Sequence, residues 1–207
     1  MKNTSIPGIR VIVVATMNKG KLREFRELLK PLNAEILGLE DVGAYADVEE
    51  SGSSFVENAR IKALAYSGMT THPVLADDSG LEVKALGGQP GIHSARHAGP
   101  GASDQDRIDK LLNELEKAGG SRDARFFCAL AVAHNGVIVN EADGECTGAI
   151  TDAPRGDNGF CYDPIFLVPA LGKTYAELSN KEKDTLSHRA RAVASLLKQL
   201  GINAENA

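Results

Sequence analysis

Three cysteines are all that the chain contains, and Cys128, Cys146 and Cys161 share no CxxC spacing. An odd number without that spacing argues against a disulfide framework and against a structural zinc site, and leaves plain thiols. Positive charge is also short: 23 Lys and Arg against 28 Asp and Glu give a formal net charge of -5. Such a surface is not built mainly to grip a nucleic-acid backbone, although a local basic pocket for a small polyanion remains open. Long hydrophobic runs are missing as well. The longest early run, Val11 to Ala15, is far too short to span a bilayer, and MKNTSIPGIR has no apolar core of signal-peptide length. These absences point to a cytoplasmic protein with neither a membrane nor a duplex nucleic acid as partner. What remains is an ordinary soluble composition, 43% hydrophobic and without tryptophan. Its 207 residues suffice for one domain with a sizeable core, or for two lobes that share one sheet.

The pattern along the chain alternates strand and helix. Arg10 to Ala15 is a continuous β-branched run, the mark of a strand buried on both faces. Lys21 to Leu32 follows with Leu22, Phe25, Leu28 and Leu29 at helical spacing. Ala34 to Leu37 reads as a short strand. Ser54 and Glu57 form a capping-box pattern ahead of FVENARIKALAYSG, which predicts a second helix. Val74 to Ala76 and Leu81 to Ala85 read as strands on either side of a corner at Asp77 to Gly80, and a glycine-rich loop then runs to Ala102. Ser103 can cap a helix through Lys117. Asn135-Gly136, between Ala124 to His134 and Val137 to Asn140, is a hairpin signal because both central residues need positive φ. Residues 144 to 150 and Pro164 to Val168 add strands. Ser179 with Glu182 opens a helix that could run to Leu200. No repeat or linker divides residues 1 to 207, so the expectation is a single α/β domain around a long mixed sheet flanked by helices.

Three clusters carry chemistry. The loop Thr16, Met17, Asn18, Lys19, Gly20, Lys21 joins a buried strand to a helix at the strand's carboxyl end, where open α/β sheets place ligands. Amides of the first helical turn, with Lys21, could hold phosphate oxygens. The second cluster is acidic: Glu50, and Asp77 with Asp78 in PVLADDSGLEV. Adjacent carboxylates lose hydration and repel each other in a sheet, so they need an exposed strand end or a cation. Magnesium takes one or two protein carboxylates alongside substrate phosphates. Alternation along a strand should send Asp77 and Asp78 apart unless the corner turns them together. Lys62, one turn beyond Asn58, is a candidate phosphate contact. The third cluster is GDNGFCYDP with Ser187 to Arg189. An aromatic beside an aspartate in a glycine-rich loop can stack on a base and hydrogen-bond its edge, or can be a core residue. On one continuous helix Lys183, His188 and Arg189 would not share a face, so either long side chains reach round or the helix breaks near Ser187. His93 and His97 lie among glycine and proline, without the helical geometry of a metal pair.

Taken together, TMNKGKLREF, EESGSSFVENARIKA, VLADDSGLEVKALGGQPGIHSAR, GFCYDPIF and TYAELSNKEKDTLSHRARA resemble, in order and spacing, the inosine triphosphate pyrophosphatase family. The resemblance runs from about residue 10 to 200. It implies an elongated two-lobed α/β fold with the active cleft between the lobes, usually as a homodimer. The implied reaction converts ITP, dITP or XTP, with water and Mg2+, to the monophosphate and pyrophosphate, which cleanses the nucleotide pool. By position it implies that Thr16 to Lys21 hold the triphosphate, Lys21 acting in catalysis with Asp78. Asp78 would be the general base or a metal-linked acid, with Glu50 and the neighbouring Asp77 as further metal carboxylates. Ser79, Lys62 and Lys183 would contact substrate, and Phe160, Cys161, Tyr162, Asp163, His188 and Arg189 would surround the base. One departure is visible: Cys161 stands where the family usually has glycine, which matters if that position needs positive φ. A nucleotide pyrophosphatase of the septum-formation type would share the chemistry without this base pocket, and a non-catalytic nucleotide-binding module would not need the carboxylates.

Overall fold

The computed structural model describes residues 9–202. The first β-branched run becomes β1 (Val11–Val14), followed by α1 (Lys19–Leu28) and β2 (Glu35–Gly38). Then come α2 (Phe55–Ser67), β3 (Val74–Val83) and α3 (Asp104–Ala118). The longest strands, β4 (Asp123–His134) and β5 (Val137–Ile150), precede the short β6 (Phe166–Val168) and β7 (Lys173–Thr174). The last helices are α4 (Asn180–Leu186) and α5 (His188–Gln199). Among the described residues the strands form one seven-stranded sheet in the order β2-β1-β3-β4-β5-β6-β7. β1 runs parallel to β2 and to β3, whereas β6 is antiparallel to β5 and β7. The sheet is therefore mixed, and the α/β class expected from the sequence is the one found.

The chain divides into two compact units. Among the described residues, the first comprises 9–78, Cys128–Gly144 and 189–202; the second comprises Ser79–Phe127 and Glu145–His188. In the first, Ile12, Val14, Leu75, Leu130 and Val132 pack against Phe25 and Leu29 of the α1 region and Val193, Leu196 and Leu197 of α5. In the second, Leu81, Val83 and Phe126 pack with Ile108, Leu111 and Leu115 of α3 and with Phe166 and Tyr175. The α3 stripe falls at helical spacing, so one face of that helix supplies its whole contribution.

Two local features differ from the sequence expectation, and a third decides between the alternatives left open at Ser187. The corner at Asp77 to Gly80 is absent, and β3 runs unbroken through ten residues. Both aspartates find cationic or amide partners on helices, described below, so the backbone has no need to turn them out to water. β5 likewise continues through Asp143 as one strand. The terminal helix does break: Ser187 is extended, at φ -67° and ψ 158°, and separates α4 from α5. The hairpin signal holds, with Asn135 at φ 51° and Gly136 at φ 75°, the positive values that a primed turn demands.

Close approach of β5 to β6 requires glycine at 148. A Cβ there would lie 2.3 Å from the Leu167 carbonyl oxygen and 2.7 Å from the Phe166 ring. Gly148→Ala should therefore destabilise the protein by about 1–3 kcal/mol, as overpacking does. The readout is a lower urea midpoint with an unchanged circular dichroism spectrum. An unaltered midpoint would show that β6 can yield without cost.

Candidate active site

Side chains alternate across a strand, so Asp77 shares the Leu75 face of β3 and Asp78 the opposite one. α1 and α5 pack on the Leu75 side. From α1, Lys21 Nζ reaches Asp77 Oδ2 at 2.8 Å. From the first turn of α5, Arg189 Nε stands 4.0 Å from the same oxygen. Arg189 also donates to Glu24 of α1, and its guanidinium lies over the Phe25 ring, 5.7 Å from the centroid. Asp77 and Arg189 are both almost wholly buried. Burial alone would raise the Asp77 pKa, but Lys21, Arg189 and Lys62 outweigh it and hold the carboxyl well below its usual range. Asp77 is thus a fixed anion whose neighbours are two cations.

Asp78 faces α2. Asn58 Nδ2 donates to Asp78 Oδ2 at 3.0 Å, while Lys62 Nζ lies 3.7 Å from Oδ1. The same ammonium sits 2.8 Å from Glu50 Oε1, so Lys62 joins both carboxylates. Here burial wins. It pushes the Asp78 pKa up to about 6, against the lowering by Lys62 and Asn58, with Glu50 and Asp77 adding to the rise. The orientation of Asn58 is determined because its Oδ1 accepts the Gly52 amide at 2.8 Å. That bond ties the segment carrying Glu50 to the residue that holds Asp78. A Cβ on Gly52 would fall 2.7 Å from Asn58 Oδ1, so the approach is open to glycine alone.

The loop from Thr16 to Lys21 has an internal occupant. Asn18 caps α1, its Oδ1 accepting the amides of Gly20 at 2.8 Å and Lys21 at 3.1 Å, and Thr16 Oγ1 accepts the Asn18 amide. Met17, Asn18 and Lys19 are exposed.

In the second unit, Asp163 and Lys183 form a buried pair, Nζ to Oδ2 2.7 Å. The ammonium lies 5.0 Å from the Phe160 ring centroid and 5.6 Å from that of Tyr175, within cation–π reach. The Phe160 amide donates to Asp163 Oδ2 at 2.9 Å. A Cβ on Gly159 would lie 2.0 Å from that oxygen, so glycine is required there. Tyr162, expected beside the base, is instead a core residue with no exposed surface, its hydroxyl donating to the Ser94 carbonyl at 3.2 Å. His188 is 4% exposed and stacks on Phe126, centroids 4.7 Å apart. Ser79 is half-buried on β3.

The structure therefore gathers the candidates into three sets: Lys21, Asp77 and Arg189; Glu50, Lys62 and Asp78; and Phe160, Asp163 and Lys183. Arg189, grouped with the base residues in the sequence reading, stands beside Asp77 and Glu24 in this structure, where the break at Ser187 reorients the chain after α4. Asp77, grouped there with the metal carboxylates, is turned instead to Lys21 and Arg189. Two participants had been missed. Glu24 lies three residues beyond Lys21 and Asn58 four before Lys62, spacings that place each pair on one helix face and could have flagged them.

Buried carboxylates neutralised by lysine and arginine, with one acid poised near neutrality at a strand of a mixed α/β sheet, define a site fit for hydrolytic chemistry on a polyanion. Comparison with known proteins narrows the class. A family model described as the Ham1 family matches residues 12–199. A dITP/XTP pyrophosphatase from Geobacillus kaustophilus is 50% identical over 192 residues, which are 92% of this chain and 94% of that one. One from Gloeobacter violaceus is 50% identical over 190 residues, 91% of this chain and 93% of that one. Among solved structures, a HAM1 protein from Coxiella burnetii superposes with a TM-score of 0.85 at 43% identity, covering 92% of this chain and 98% of its own. The Staphylococcus aureus Ham1 protein gives 0.82 at 42% identity, with the same coverage. The chain belongs to the Ham1 family.

The raised Asp78 pKa has a consequence for stability. Unfolded, the group titrates near 3.8; folded, near 6. The native state therefore holds the proton more tightly, and stability present below about pH 4 is lost as pH rises through 6. Asp78→Asn carries no such charge. In chelator its melting temperature should match wild type near pH 4 and exceed it above pH 7, by the equivalent of about 2–3 kcal/mol. Equal melting temperatures at both pH values would show that Asp78 titrates normally.

Proposed function

We propose that this protein hydrolyses noncanonical purine nucleoside triphosphates, ITP, dITP and XTP, to the monophosphate and pyrophosphate. The observation that carries the reading is the split of Asp77 and Asp78 between opposite faces of β3, one locked as an anion and the other poised near neutrality. A general base works best with a pKa near the working pH, and Asp78 meets that requirement on a carboxylate oriented by Asn58. In the proposed reaction, a water oxygen bonds to the α-phosphorus while its proton passes to Asp78. The bond from that phosphorus to the bridging oxygen breaks, and pyrophosphate leaves with the electron pair. Lys21 and Lys62 stabilise charge that develops on the phosphoryl oxygens.

The donor set fits magnesium. Among the described residues no three His, Cys, Asp or Glu side chains gather as a ready-made metal cage. Two carboxylates, Glu50 and Asp78, do converge on one ammonium. Two carboxylates completed by substrate oxygens and water is the arrangement Mg2+ prefers. Glu50 and Asp78 would hold the ion, which would supply neutralisation of the triphosphate charge. Asp77, already paired, does not fit as a third ligand.

For the base, Phe160 offers a ring face and Lys183 a donor beside it. As part of the same proposal His188 and Arg189 donate to the 6-oxo group of hypoxanthine or xanthine. Adenine presents an amino donor at that position and leaves such donors unpaired. GTP shares the 6-oxo group and must be excluded at its 2-amino group. The enzyme is proposed to act as a cytoplasmic homodimer. Among the described residues no helix is long and apolar enough to cross a membrane.

The test is release of pyrophosphate from ITP, XTP, dITP, GTP, ATP and UTP with Mg2+, where the first three should lead. Detection of orthophosphate and the diphosphate alone would refute the reaction. Within the same panel, Arg189→Ala should cost ITP more than ATP by roughly tenfold in kcat/KM, the worth of a hydrogen bond to a charged group. Equal losses would assign Arg189 to the charge balance of Asp77 instead.

A further inference from the structure

Cys161 occupies a left-handed backbone conformation, φ 56°, one of three non-glycine residues with positive φ among the described residues. The other two, Asn33 and Asn135, are asparagines, the type that tolerates this region. A cysteine there is held by its surroundings, and such outliers concentrate at ligand clamps. Its side chain packs against the core of the second unit, and burial pushes the thiol pKa up to about 12, so the sulfur serves as packing.

The backbone holds the more telling contact. The Cys161 amide donates to Asp104 Oδ2 at 2.7 Å, a length typical of a bond to an ionised acceptor. Asp104 begins α3, and its other oxygen accepts Arg107 Nη1 at 2.7 Å. Arg107 Nε in turn donates to the Ala95 carbonyl at 2.9 Å. One residue upstream, the Ser94 carbonyl accepts the Tyr162 hydroxyl at 3.2 Å, and Ser94 Oγ accepts the Leu81 amide at 2.9 Å. A closed circuit results, from α3 through the turn at 91–96 to Tyr162 and back through Cys161 to α3. Phe160 sits immediately before the clamped amide, and its own amide is fixed on Asp163. Successive amides of the loop are thus held by two different carboxylates.

We propose that Asp104, oriented by Arg107, is a positioning residue for substrate recognition: by holding the Cys161 amide it keeps that residue left-handed and so sets the Phe160 ring and the Asp163–Lys183 pair for the purine base. This rests on the reading that the Phe160 loop receives the base. Asp104 touches no substrate and acts through the loop. Without it, a cysteine at this position relaxes toward negative φ, carrying Phe160 with it, whereas glycine has no such bias.

The experiment compares wild type, Asp104→Ala and the double variant Asp104→Ala/Cys161→Gly, measuring kcat and KM for ITP with Mg2+, the melting temperature, and amide hydrogen exchange over 156–163. Asp104→Ala should raise KM roughly three- to tenfold, the upper figure being the low end of the range for a hydrogen bond to a charged group and the lower allowing for half-exposed Asp104, while kcat stays within about twofold. Exchange over 156–163 should accelerate. The double variant should recover a substantial part of the lost KM, since glycine returns to the left-handed conformation unaided. A lower melting temperature with KM and exchange at wild-type values would overturn the proposal, as would a KM defect that Cys161→Gly fails to relieve. Should wild type release no pyrophosphate from ITP, the proposed reaction fails, while hydrogen exchange still decides whether Asp104 clamps the loop.

Discussion

Two adjacent carboxylates on one buried strand set the terms for the first unit. Because a strand sends neighbours to opposite faces, Asp77 and Asp78 each need separate compensation, and α1, α2 and α5 each bring a cation or an amide to supply it. The two settlements are unequal. On one face Asp77 and Glu24 meet Lys21 and Arg189, two charges against two, and the set is neutral. On the other, Asp78 and Glu50 both meet Lys62. The second set is where a proton is held loosely enough to be exchanged near neutral pH.

The break at Ser187 follows the same logic at the level of the chain. A continuous helix from Asn180 would have turned Arg189 to whichever face its register dictated. The extended residue decouples α4 from α5, so Lys183 is free to serve Asp163 while Arg189 serves Asp77. His188, between them, is taken into the aromatic stack with Phe126 and Tyr175. Lys183, His188 and Arg189 thus meet three different demands, which one continuous helix would not have satisfied from a single face.

Local signals in the sequence were legible wherever short-range physics decided the outcome. The cap at Ser103 forms, as does the Ser179–Glu182 box with both reciprocal bonds, and the Asn135-Gly136 turn has the required backbone. At Ser54 only half the expected box forms: Glu57 receives the amide of Ser53, one residue earlier than the pattern implies. The acidic pair and its lysines were visible as residue types, and so was the divergence of Asp77 from Asp78. What stayed hidden depended on contacts between distant segments. Glu24 reads as an ordinary helix glutamate until Arg189, far along the chain, is brought beside it. Asn58 reads as one polar residue in a mixed helix until Gly52 and Asp78 fix both ends of its amide. The sequence also implied a bend at Asp77 to Gly80, since nothing local announced partners that would let two carboxylates remain inside a straight strand.

The cap on α1 bears on how tightly an anion can be held at this helix start. Asn18 already gives the amides of Gly20 and Lys21 a carbonyl oxygen, so the loop keeps its shape without any guest. An arriving phosphate oxygen exchanges one acceptor for another there instead of filling a vacancy, and the gain is a difference between two similar bonds. Grip at this end must then come from ammonium groups, whose attraction scales with the charge of the guest. A more highly charged anion would be held there more tightly than a less charged one, with the Asn18 cap adding little to the difference.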